Sequence, residues 1–66
     1  SWLQLPENTA LAQAQIALYS PAGKLLHKTK PSSHFHKIDV AHLPKGLYLV
    51  RLWDGKEWMT AKLLKH

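Results

Sequence analysis

Cysteine is absent from the 66 residues, so no disulfide can hold this chain together. At this length the absence matters. A chain of this size buries only about 60% of the surface its unfolded form exposes, and its core supplies on the order of 3–5 kcal/mol net. No apolar run reaches the roughly 18 residues of a membrane-crossing helix. The opening "SWLQLPENT" has neither the charged start nor the apolar stretch of a signal peptide. It begins on Ser1, in what reads as a strand already under way, and the expectation is a piece of a longer protein. Acids are scarce, four against nine lysines and arginines. Paired-carboxylate or triad chemistry needs partners converging in a cleft, and a domain this small has little room for one. No catalytic residue and no cofactor are therefore expected.

The net charge is +5, which suits anionic partners. The lysines are dispersed, with Lys24, Lys28 and Lys30 the densest group. Neither a recognition motif nor a basic block points to nucleic acid. Dispersed lysine also serves to blunt strand edges.

What the chain does contain is alternation of period two, the signature of half-buried strands. Ile16 and Leu18 alternate with Gln15, Ala17 and Tyr19. His34, His36, Ile38 and Val40 oppose Phe35, Lys37 and Asp39. Tyr48, Val50 and Leu52 form one stripe, and Leu47, Leu49, Arg51 and Trp53 the other. Met59, Ala61 and Leu63 oppose Trp58, Thr60, Lys62 and Leu64. The turn residues fall between these runs. "SPAG" at 20–23 fits a tight turn with Pro21 first and Gly23 last. Asp54-Gly55, flanked by apolar alternation, predicts a type I′ hairpin. "LPENTAL" at 5–11 is a looser connection with room for a helical turn begun by Asn8 or Thr9. The strands then fall near 2–5, 14–19, 24–30, 34–40, 47–53 and 57–65. The expected fold is all-β: one domain over residues 1–66, a small Ig-like antiparallel β-sandwich of six to seven short strands.

Leu43, Gly46 and Tyr48 have the spacing of a tyrosine corner. In that motif a tyrosine at a strand start packs its ring inward and bonds its hydroxyl to the preceding loop. His34 and His36 share a strand face, and His27 is placed on a neighbouring strand. A structural zinc usually takes four ligands and no third converges, so these read as solvated histidines near a loop and no metal is expected. His42 and His66 read as surface residues. Trp53 and Trp58 bracket the Asp54-Gly55 turn and are placed to pair across it. An exposed indole pair also suits stacking on sugars. Leu47, Leu49 and Trp53 share their face with Arg51, a patch that a partner can cover.

Three segments resemble one family. "ALYSPAGKLL" is similar to the strand-turn-strand of the type IX secretion system C-terminal sorting domain, through Tyr19, Gly23 and Lys24, with Ser20 in place of the usual aspartate. "IDVAHLPKGLYLVRL" matches that family through Ile38, Asp39, Val40, Leu43, Gly46, Tyr48, Val50 and Leu52. "AKLLKH" matches its terminal lysine-apolar-apolar-lysine through Lys62, Leu63, Leu64 and Lys65. The family's proline-asparagine-proline opening and leading strand are not in this sequence, and Trp2–Leu5 stands for the strand after them. An edge left open in this way implies a homodimer or strand swap in isolation.

The resemblance implies a folded export address at the end of a cargo protein of a Gram-negative bacterium. It would take the cargo from the periplasm through the outer membrane to the surface, or release it. Implied partners are the type IX translocon and a sortase-like surface peptidase, with anionic lipopolysaccharide nearby. Lys62 to Lys65 is the expected centre of recognition, since an exposed strand edge can pair with a receptor; the alternative is that the same residues merely complete the sheet, with Lys62 and Lys65 as edge guards. Two other readings stay open: a carbohydrate-binding module using Trp53 and Trp58, and a purely structural Ig-like domain of a surface protein.

Overall fold

The computed structural model describes residues 1–66 and contains six strands and no α-helix. The strands are β1 (Trp2–Gln4), β2 (Gln15–Tyr19), β3 (Leu25–Thr29), β4 (Phe35–Lys37), β5 (Gly46–Trp53) and β6 (Trp58–Lys65). They form two antiparallel sheets, β1-β4 and β3-β2-β5-β6. This is the all-β sandwich that the alternation implies, with the small sheet laid over one face of the large one.

Alternation decides what is buried. Side chains on successive strand residues point to opposite faces. Ile16 and Leu18 of β2 and Tyr48, Val50 and Leu52 of β5 therefore all face inward, where they are buried. Leu5, Ala14 and Ile38 complete the core, with Leu3, Leu43, Met59 and Leu63 packed against it. Burying each large aliphatic side chain contributes about 1.5–3 kcal/mol. Ala17 is buried although it lies on the outer face. Its cross-strand neighbours are Lys28 and Arg51, whose long stems shield a small methyl between them.

The small sheet is short in hydrogen-bonded pairs but is extended at both ends. The Leu5 N–H donates to the His34 carbonyl at 2.7 Å, and the Ile38 N–H to the Ser1 carbonyl at 2.7 Å. The amino terminus of Ser1 donates to the Ile38 carbonyl at 3.1 Å.

The "SPAG" segment closes as a turn, with the Gly23 N–H donating to the Ser20 carbonyl at 2.9 Å. Gly23 has a φ of +87°, a conformation that costs glycine least. The register between β2 and β3 slips at Leu18/Tyr19 beside this turn. Three local expectations are corrected. Asp54-Gly55 is not a type I′ turn, since only Gly55 has a positive φ and four residues separate the paired Trp53 and Trp58. The Asp54 carboxylate instead accepts the Lys56 and Glu57 N–H groups, at 2.8 and 2.7 Å. The helical turn lies at Leu11–Gln13, beyond Asn8 and Thr9. Finally, β4 stops at Lys37, so Asp39 is not in a strand. Its carboxylate accepts the Ala41 N–H at 3.1 Å, a local bond that competes with strand pairing.

Candidate functional site

The loop between β4 and β5 and the C-terminal strand β6 meet at one end of the large sheet. Tyr48 organises the meeting. Its ring is 2% exposed, and its hydroxyl donates to the Pro44 carbonyl at 2.5 Å. The Leu43 N–H donates to the Val40 carbonyl at 3.0 Å, and the Leu43 side chain packs on the core. Val50, two residues beyond Tyr48, is buried in the same stripe. Gly46 opens β5 where a Cβ would lie 3.0 Å from the Pro21 side chain, so the close approach of the 20–23 turn leaves little room for a side chain there.

β6 is the outer strand of its sheet, paired only with β5. Gly46 pairs with Lys65, Leu47 with Leu64, Tyr48 with Leu63 and Leu49 with Lys62. The four residues Lys62 to Lys65 therefore have different surroundings. Leu63 faces inward, against the core. Lys62 and Leu64 are exposed on the outer face. Lys65 is half-buried, and its ammonium donates to the carbonyls of Val40 and Ala41, at 2.8 and 3.4 Å. It clasps the end of β6 to the loop that Tyr48 holds from the other side. No sequence signal marks this clasp, because a terminal lysine on an edge strand reads equally as a solubilising charge.

The carboxyls of Asp39, which is exposed, and Asp54, which is half-buried, are both held below their ordinary value. The main cause at Asp39 is the bond from the Ala41 N–H. At Asp54 it is the bonds from the Glu57 and Lys56 N–H groups. Both acids shape loops.

Trp53 and Trp58 pair across the strands, with ring centroids 5.2 Å apart and planes tilted by 48°. The Arg51 guanidinium lies over the Trp58 ring, 4.5 Å from its centroid. That cation–π contact occupies a ring face that a sugar would need.

His34 and His36 depart from the solvated reading, whereas His27, His42 and His66 are exposed. His34 is half-buried, with Nε2 enclosed and without a partner. His36 faces inward opposite Leu3. His27 is not on a strand neighbouring β4 but on the other sheet, across a cleft of about 380 Å³ that His36 and His42 also line. Burial first, and the charge of His27 second, push His36 below its ordinary value of 6.5. No three metal-ligating side chains converge.

The family model for the secretion system C-terminal sorting domain matches residues 3–66. No curated protein and no solved structure matches the chain.

Proposed function

The chain belongs to the secretion system C-terminal sorting domain family, and from that premise we propose that it works as a folded address whose C-terminal strand is read by the type IX machinery. A type IX sorting role, a cargo that is secreted or displayed on the surface of a Gram-negative cell, and contact with the secretion machinery follow from the membership. The finer reading concerns how the address is presented. The observation that carries it is the position of β6: eight residues at a sheet edge, with nothing paired along one side. Alternate residues of an antiparallel edge strand aim their N–H and C=O groups away from the sheet, and a receptor strand can pair with them. Within Lys62, Leu63, Leu64 and Lys65, the side chains offered outward are Lys62 and Leu64. Leu63 and Lys65 hold the strand in place, against the core and against the 40–41 carbonyls. Translocon components and a sortase-like surface peptidase are the readers this arrangement suits, with the cargo then joined to anionic lipopolysaccharide.

The test is a periplasmic reporter carrying the whole chain at its C-terminus, with and without residues 62–66. Protease accessibility on intact cells reports delivery. The intact fusion is expected at the surface and the truncated one inside. Equal surface delivery of both overturns the reading.

A further inference from the structure

We propose that the outer face of the four-stranded sheet is a second docking surface, covered during export by a protein of the secretion machinery that presents carboxylates among apolar side chains. The proposal rests on the sorting role above and adds to it a surface that reaches well beyond β6.

Leu25, Leu47, Trp58 and Leu64 are 48, 43, 49 and 57% exposed. The register places all four on this one face: the shift beside Leu18/Tyr19 sets Leu25 opposite Tyr19, and Leu47 pairs with Leu64 and Trp53 with Trp58. Two strands of eight residues and two of five, at about 3.3 Å per residue and about 4.8 Å apart, give a face of roughly 400 Å², the scale of one partner's share in a small, transient interface. Apolar patches of this kind mark interaction sites.

Charge identifies the occupant. None of the four acids lies in a strand of this sheet, whereas Lys28, Arg51 and Lys62 all do. Lys28 and Lys62 lie on the two edge strands, β3 and β6, and Arg51 on the interior strand β5. Lys28, Ala17, Arg51 and Thr60 form one row through all four strands. Lys62 sits in the next row, opposite Leu49. Insertion into a lipid surface favours cations at the margin, where long stems reach outward to the headgroups. Arg51 is instead central and fixed over Trp58 at 4.5 Å. A pre-ordered guanidinium beside an exposed indole matches the composition of protein interface centres, and its planar fork suits carboxylates.

The experiment uses the same reporter fusion. One arm replaces apolar residues away from the C-terminal tail, Leu25→Ser with Leu47→Ser. The other reverses charge, Lys28→Glu with Arg51→Glu. Trp2→Ser with Phe35→Ser, exposed side chains of the small sheet, is the control. Protease resistance of the periplasmic pool reports folding. Should either double variant be protease-sensitive, the single changes Leu25→Gln and Lys28→Glu on the exposed edge strand β3 decide. Each face variant is expected to stay folded and to lower the surface fraction about tenfold, with the control unchanged. Folded face variants delivered like the unmodified fusion overturn the docking surface, as does an equal loss in the control. A loss in the apolar arm alone overturns the carboxylate-bearing partner. Binding of the unmodified fusion to equimolar phosphatidylcholine–phosphatidylglycerol vesicles, abolished by the face changes, would assign the surface to lipid instead. If truncation of residues 62–66 leaves delivery intact, the reading of β6 has failed while the face variants still decide the outer face, which separates the two claims.

Discussion

Replacing Tyr48 by phenylalanine removes one oxygen and little else. The ring is 2% exposed and its packing is retained, so the loss isolates the hydroxyl bond to the Pro44 carbonyl. A typical intramolecular hydrogen bond contributes about 0.5–1.5 kcal/mol, and a carbonyl left without its donor away from water costs about 1–3 kcal/mol. The site is only partly buried, so the expected loss is about 1–2 kcal/mol. Against a net stability on the order of 3–5 kcal/mol that is a large share. In thermal terms it is a drop of roughly 4–8 °C per kcal/mol for a domain this small. Urea unfolding followed by tryptophan fluorescence measures it, and the slope should stay constant while the midpoint falls. Tyr19→Phe is the control, because that hydroxyl has no hydrogen bond to the protein and its loss should cost less than about 0.5 kcal/mol. If Tyr48→Phe matches the control, the loop is held by ring packing alone and the anchoring argument fails.

Two further outcomes follow from the same end of the molecule and from the cleft. Lys65→Met should cost about 1 kcal/mol by freeing the Val40 carbonyl, while Lys62→Met, on the exposed face, should leave urea midpoints unchanged; equal effects would refute the clasp. His36 titrates lower in the fold than in the unfolded chain, so below pH 6.5 the unfolded state takes up the proton more readily. Its contribution is complete above pH 6.5 and is lost as pH falls through the lowered value, and Asp39 and Asp54 add losses only below 3.8. Thermal melts from neutral pH down to just above the carboxylate range should show stability falling, with a shallower slope in His36→Gln; parallel slopes would remove His36 as the cause.

The limits of sequence reading follow from what alternation encodes. A period of two states which side chains share a face, and that placed the stripes of β2, β5 and β6 without further information. It does not say where a strand stops. Alternation runs on through Asp39 and Val40, yet the backbone pairing reaches only Ile38, opposite Ser1, and the Asp39 carboxylate beyond it bonds the N–H two residues later. The same local chemistry at Asp54 converted an apparent two-residue turn into a four-residue loop. Nor does alternation name neighbours. His27 and His36 face each other from different sheets because β3 is an edge strand of the large sheet and β4 belongs to the small one, a fact of topology with no local signal. The Lys65 clasp is invisible for a similar reason, since its acceptors are main-chain oxygens 24 and 25 residues away. The outer face is a different case. In β5, Tyr48, Val50 and Leu52 are consumed by the core, yet on the opposite stripe Leu47, Leu49 and Trp53 are also apolar, with Arg51 its one charge. A strand that faced water on one side would carry polar residues there. The small sheet covers one side of β5 only, so the second stripe calls for a cover that the chain does not itself supply.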